Sequence, residues 1–180
     1  MAKKIEPEAL RQLAVSELQS LLGSEPKLVR GFARLVKQAT SPRLRKFCRE
    51  GVEYTERRVE RVREVLELLE APVKSLASKA MPGLIADAIA AGRSSNSDDE
   101  ARDLAILTAI ERISHYGLAS YTSIDRFLRA SRETKARRVL APCIKEKREA
   151  IAEMGQMARE KFIPPLRKRL TSSPRSGRRD

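Results

Sequence analysis

His115 is the one imidazole and Cys48 and Cys143 the two thiols of a 180-residue chain, so nitrogen- and sulfur-based chemistry has few places to sit. A lone imidazole beside Tyr116 is read first as a hydrogen-bonded, half-buried residue and second as a metal ligand. The cysteines lie far apart in sequence, and a helical core of this size needs no disulfide staple, so both are expected as buried thiols that could face each other. Tyr54, Tyr116 and Tyr121 could serve a redox centre, but core packing with a satisfied hydroxyl is the default. Met81, Met154 and Met157 lack copper-site spacing and read as gap-filling core. Cations are abundant: the formal net charge is +13. Charge of that size attracts polyanions such as nucleic acid or an acidic protein.

The elements that must position these residues are helical. Trp is absent, aromatics are 4%, and Ala, Leu, Arg, Glu and Lys dominate, which excludes a sheet protein and points to an all-α class. Leu10, Leu13, Ala14, Leu18 and Leu21 recur at helical spacing, and the pattern resumes from Leu28 through Phe32 and Leu35 to Ala39. Gly23-Ser24-Glu25-Pro26 between the two halves predicts a kink or break. Ser41-Pro42 starts a second helix whose stripe runs from Leu44 through Thr55 and Val62 to Leu69. Residues 73–93 predict a long connection with short helical pieces around 76–81 and 83–91, a crossover that lets the next helix run parallel to its predecessor. Asp98-Asp99-Glu100 opens a third helix carrying Leu104, Leu107, Ile110, Ser114 and Tyr121. A fourth presents Leu140, Cys143, Lys147, Ile151 and Met154, with a kink at Pro142. Pro164-Pro165 is expected to end it. The domain expectation is a helical bundle over residues 1–160 and a basic, disordered tail over 161–180, which carries +6 of the +13 charge.

Four helices with a long crossover between the second and third make a ferritin-like four-helix bundle. The sequence also resembles the YciE/YciF stress-protein family over roughly residues 9–158. The carrying segments are Leu13 to Leu28, Ala39-Thr40-Ser41-Pro42-Arg43-Leu44, and Val59-Glu60-Arg61-Val62 with Leu66. Lys79-Ala80-Met81-Pro82-Gly83-Leu84-Ile85 resembles the family's Lys-Ala-Met-Glu-Gly-Leu-Ile. Ser114-His115-Tyr116-Gly117-Leu118-Ala119-Ser120-Tyr121 resembles its Glu-His-Tyr-Glu-Ile-Ala-Gly-Tyr.

The resemblance implies a stress association and a carboxylate-rich dinuclear metal centre in mid-bundle. Such a centre commonly draws Glu-x-x-His from two helices, because two divalent cations need hard oxygens and directional nitrogens. One histidine cannot supply two such motifs. Against the family pattern, Glu17 and Glu25 are retained, the second-helix His is Gly51, an acid is Tyr54, and a Gln or His is Arg58. Two third-helix Glu positions are Ser114 and Gly117, Glu111 replaces a Gln, and an inward Glu-x-x-x-Asp is Lys147-x-x-x-Ile151. If a site survives, its candidate ligands for iron or manganese are Glu25, Glu111, His115, Glu56 and Glu146.

Inward carboxylates cannot stay charged and unpaired in a low-dielectric core, and protein-borne cations can replace metal charge. The expectation is therefore a metal-free polar layer in which Arg58 and Lys147 pair with Glu17, Glu25 or Glu111. The function expected is a non-catalytic or weakly metal-binding stress-associated bundle, a homodimer with no cofactor. A di-iron or dimanganese oxidase or iron-handling protein is the alternative. A third reading is non-specific nucleic-acid association through Arg43, Arg45, Lys46, Arg167, Lys168 and Arg169, without aromatic interleaving or a base-reading motif. No membrane span or signal peptide is expected, since Met1-Ala2-Lys3-Lys4 leads into Ile5-Glu6-Pro7-Glu8, and the location expected is cytoplasmic.

Overall fold

The structure, a computed structural model, describes residues 5–94 and 98–171, with side chains outside the description for residue 94 and for 161–171. Among the described residues it is an all-α, ferritin-like bundle of five helices: α1 Pro7–Gln38, α2 Pro42–Leu68, α3 Ala80–Ser94, α4 Asp99–Ala130 and α5 Thr134–Thr171. α1 packs on α2, α2 on α5, α5 on α4 and α4 on α1, closing a four-membered ring, and α3 lies over the groove between α1 and α4. No described helix is long and apolar enough to cross a membrane.

Three local expectations change. α1 runs unbroken through Pro26. The ring forfeits one intrahelical hydrogen bond, at roughly 3 kcal/mol, but Leu18, Leu22, Leu28 and Phe32 on either side are all buried. Each such side chain contributes about 1.5–3 kcal/mol if it stays on the inward stripe, so straightness wins. The crossover holds one helix rather than two pieces. Residues 71–78 are non-helical, and they lie against α1 instead: Leu76 N–H donates to the Gln19 carbonyl (2.9 Å) and Gln19 Nε2 donates to the Pro72 carbonyl (2.9 Å). α3 then begins at Ala80 with Pro82 in its first turn, where the missing N–H would have had no helical partner anyway. Finally, α5 continues to Thr171, past Pro164-Pro165. The rest of the expected tail, 172–180, lies outside the described residues.

Both bundle ends are fastened by polar contacts. At one end Asp103, on α4 and buried, accepts the N–H groups of Thr40 (2.7 Å) and Ser41 (2.8 Å), while Ser41 caps α2 by accepting from Leu44 N–H. At the other, Arg11 donates to the Leu69 carbonyl and sits 3.3 Å from Glu133. These ties set α2 and α4 parallel, as the long crossover predicts. On α4, Leu107, Ile110, Ser114 and Tyr121 are buried as their spacing implies, joined by Ile106, Ile113 and Ile124, whereas Leu104 is exposed.

The buried apolar residues form two clusters. One gathers Leu28, Phe32, Phe47, Cys48, Met81, Ile110 and Met154. The other gathers Leu18, Val62, Leu66, Ile124, Leu140 and Cys143. The cysteines thus fall in different halves of the core, are free, and do not face each other as expected. Burial pushes the Cys48 thiol up to about 12 and the Cys143 thiol up to about 11, so both stay protonated and unreactive at neutral pH.

Gly23 is where the crossover touches α1: a methyl group there would lie 2.2 Å from the Leu76 carbonyl oxygen. Helix propensity alone favours Gly→Ala by about 1 kcal/mol, but the clash is with backbone. Gly23→Ala is expected to lose about 1–3 kcal/mol in urea unfolding. Gly155→Ala, whose new methyl would meet only Arg159 Nη1 at 3.5 Å, is expected to gain up to about 1 kcal/mol. Equal stabilisation by both would show that the crossover does not press on α1.

Candidate functional site: a buried charge layer

Between the two apolar clusters lies a layer of polar side chains contributed by α1, α2, α4 and α5. Glu25, Thr55, Arg58, Ser114 and Lys147 are all at most 4% exposed. Each sits on the inward stripe of its own helix, so helical period alone carries it to the bundle axis. Thr55 and Arg58 are three apart on α2, while Cys143 and Lys147 are four apart on α5.

Arg58 is the hub. Its Nε lies 3.6 Å from Glu25 Oε2 and its Nη1 3.7 Å from Glu146 Oε2. Its Nη2 donates to Thr55 Oγ1 (2.6 Å), and the Thr55 hydroxyl in turn donates to the Gly51 carbonyl (2.6 Å). Glu146 also accepts from Arg61 Nη1 at 2.6 Å. Tyr121, fully buried, donates its hydroxyl to Glu25 Oε1 at 2.9 Å. Burial opposes the Arg58 charge, but Glu25, Tyr121, Cys143 and Glu146 together hold the guanidinium above its ordinary value. Burial, reinforced by the Glu25 charge, pushes the Tyr121 phenol well above its ordinary value, so it stays a donor.

Lys147 differs. It is 3% exposed and has neither a hydrogen bond nor a carboxylate within 4 Å among the described residues. Burial first, and the Arg58 charge second, lower its pKa to about 8. Its stem and amine occupy space left by Gly117: a methyl at Gly117 would lie 2.9 Å from Lys147 Cε and 3.0 Å from Nζ. On the other side, a methyl at Gly51 would lie 2.9 Å from the Phe32 ring.

The residues expected at the centre are distributed as follows. Glu25, Arg58 and Lys147 are in the layer. Glu17 is exposed, because it precedes the buried Leu18 by one position, or 100° of helix. Glu56 and His115 are exposed and Glu111 is half-buried, and the structure gives none of them a contact in the layer. Glu146 enters as an ion-pair partner of Arg58 and Arg61. Thr55, Ser114 and Tyr121, which spacing places on the inward stripes without assigning them to the layer, belong to it as well. Of the basic candidates, Arg43 pairs with Glu160, Arg45 donates to the Ala39 and Thr40 carbonyls, and Lys46 lies 3.6 Å from Glu50. The side chains of Arg167, Lys168 and Arg169 lie outside the described ones.

A dinuclear centre would need four or more carboxylate or imidazole donors converging on one cavity. Among the described residues no group of three or more His, Cys, Asp or Glu converges. At two of the positions where the resemblance implies ligands, Gly51 and Gly117, the space a side chain would need is taken by the Phe32 ring and the Lys147 amine. The two carboxylates present face a guanidinium. This donor set does not fit two divalent cations.

The family model described as "Domain of unknown function (DUF892)" matches residues 9–163. Protein YciF of Escherichia coli (strain K12) is 24% identical over 152 residues, covering 84% of this chain and 91% of that protein. The crystal structure of the E. coli stress protein YciF superposes with a TM-score of 0.81 at 23% identity, over 86% of this chain and 98% of that one. YcfI of Rhodopseudomonas palustris, a candidate structural protein, gives a TM-score of 0.77 at 21% identity, over 86% and 97%. With a family match spanning most of its length and a backbone that superposes on that of YciF, the chain belongs to the DUF892 family of YciF-like helical bundles.

Proposed function

We propose that this chain is a stress-associated, ferritin-like bundle whose centre is a metal-free polar layer, with protein cations standing where related bundles would hold divalent ions. The observation that carries the reading is the Lys147 amine lying against Gly117, a position where the resemblance implies a carboxylate ligand. An ammonium there repels a metal ion, and a side chain at position 117 would have to displace it. The stress association is carried over from the YciF relative. A layer held by ion pairs suits a structural or binding role, since nothing in it positions a nucleophile beside a general base.

Elemental analysis of the purified protein is the direct test. Sub-stoichiometric iron and manganese are expected, and about two ions per chain, lost on Glu25→Ala, would overturn the reading.

The layer also makes thermodynamic predictions. Arg58→Met leaves Glu25 and Glu146 buried without their shared cation and should cost about 3–5 kcal/mol. Adding Glu25→Gln should recover part of that loss, so the double-variant cycle should show coupling of at least about 1 kcal/mol. Additive losses would mean the pair does not act as a unit.

Lys147 gives the pH dependence. Its folded-state pKa is lowered to about 8, while the unfolded chain keeps an ordinary lysine near 10.4. Below about pH 8 both states are protonated and the full cost of burying the charge is felt. Between about 8 and 10.4 the unfolded state binds more protons, so this group's contribution to stability improves as pH rises. Lys147→Met should therefore stabilise the protein by about 3 kcal/mol at pH 7, with an advantage that shrinks towards pH 10.4. Chemical denaturation at pH 7, 8.5 and 10 measures it, and a pH-independent difference would show that the amine is not buried as a cation.

A further inference from the structure

A groove of about 550 Å³ runs along the edge of α3 where that helix lies on α1. Its floor is an apolar strip of α3 made by Pro82, Ile85, Ala86, Ile89 and Ala90, which share one helical face. Its rims are cationic, with Lys27 and Arg34 from α1 and Arg93 from the end of α3. We propose that this groove is a docking site for an acidic amphipathic helix of a partner protein, which lays its apolar stripe on α3 and its flanking carboxylates against Lys27, Arg34 and Arg93. The groove lies outside the buried charge layer, so the proposal does not depend on what the bundle centre holds.

The charge of the groove is one-sided. Lys27, Arg34 and Arg93 are exposed, and none of them has a carboxylate within 4 Å among the described residues. α1 carries no acid from Pro26 to Gln38, and Asp87, the one acid of α3, does not line the groove. Three cations gathered without a counter-charge make a local positive potential that an anionic occupant relieves.

The floor is apolar and already formed. Ile85 is buried, Pro82 and Ile89 are half-buried, and Ala86 and Ala90 are exposed, so the two small side chains leave room for another helix to approach. α3 is seated hard on α1: a methyl at Gly31 would lie 2.8 Å from Ile85 Cγ2, and Gln38 Nε2 donates to the Ile89 carbonyl (3.2 Å). A partner therefore meets a surface whose ordering cost is already met by the fold.

Spacing selects among anionic occupants. Lys27 and Arg34 are seven residues apart on α1, two turns or about 10.5 Å, and Arg93 stands on the other helix. A fatty acid has one carboxylate and can answer one of the three. A nucleic-acid backbone could answer all three, but it would leave the apolar strip unmatched, and no aromatic side chain lines the groove to stack a base. A planar bilayer resting on the cationic rims would reach little of Ile85 and Ile89. A second copy packed two-fold on the same face would set Lys27, Arg34 and Arg93 against their own equivalents, like charge on like. An amphipathic helix satisfies both features: apolar residues at i, i+3 or i+4 and i+7 for the strip, acids seven apart on one flank for Lys27 and Arg34, and an acid on the other for Arg93.

The test uses the full-length protein and a fluorescein-labelled, end-capped peptide of about 18 residues, long enough to overspan the groove. It has Leu along one stripe, Glu seven residues apart on both flanks and Ala elsewhere. Fluorescence anisotropy is expected to give a Kd on the order of 10–100 μM in dilute salt, as suits a small, transient interface, weakening as salt is added. A scrambled peptide of the same composition, and one with Gln for every Glu, should each bind at least about tenfold more weakly. Lys27→Glu with Arg34→Glu should weaken binding at least about tenfold. Ala86→Gln with Ala90→Gln, which adds bulk to the strip at exposed helical positions without changing charge, should do the same. Lys135→Glu with Arg138→Glu, exposed on α5 and outside the groove, changes the net charge as much as the first pair and should leave Kd within about twofold. All variants are compared at equal helicity and melting temperature. A Kd above about 1 mM, a scrambled peptide that binds as well, or equal weakening by the α5 pair would overturn the site. Binding of laurate, phosphatidylglycerol vesicles or duplex DNA that depends on both groove pairs more steeply than peptide binding does would assign the groove to that ligand. A dimer in sedimentation that Ala86→Gln with Ala90→Gln dissociates would assign it to a second copy, and either result overturns the helical partner.

Discussion

Arg58 stands between Glu25 and Glu146 in the middle of the bundle, and much of the structure can be read as the consequence of burying those charges. A guanidinium and two carboxylates taken out of water cost several kcal/mol each before pairing, and pairing recovers that cost only when the geometry is held. The holding falls to rigid elements. α1 presents Glu25 from the middle of an unbroken helix, α2 presents Arg58 with Thr55 one turn before it, α5 presents Glu146, and the Tyr121 hydroxyl of α4 occupies the remaining face of Glu25. Every helix of the ring contributes at least one group, so the layer fixes the relative axial position of all four.

The apolar clusters on either side would tolerate some sliding of one helix along another, since aliphatic contacts are non-directional. The polar layer would not, because a shift of one turn moves a charge about 5.4 Å. Asp103 works in the same way at one end, tying the α1–α2 turn to α4, and Arg11 ties the opposite end. Polar contacts thus specify register in a fold whose stability comes mainly from its two apolar clusters. The continuity of α1 through Pro26 fits this division, since a break there would displace Glu25.

Lys147 is the exception within the layer. It contributes a charge that the two carboxylates do not need, at a place where Gly117 leaves room for an amine and nothing else. Burial of an unmatched ammonium is costly. Its amine lines a cavity whose wall also carries Phe32, Arg58, Ser114, Glu146 and Glu153.

The helical class, the four-helix connectivity with its long crossover, and the inward placement of Glu25, Arg58 and Lys147 were legible in the sequence, because helical period carries a residue to the core whatever its neighbours do. That the chain cannot supply two Glu-x-x-His motifs was legible too, since a single histidine is a fact of composition. The pairing partners were not. Glu17 and Glu146 are separated from inward neighbours by one residue each, yet Glu17 turns out to solvent and Glu146 turns in, because only Glu146 has Arg58 and Arg61 of α2 within reach. The straightness of α1 and the single helix of the crossover were likewise settled by packing, which outweighs the local preferences of Pro26 and Pro82. Sequence period decides which face of a helix a side chain occupies; the distances between helices, and hence which charges meet, exist only once the four are assembled.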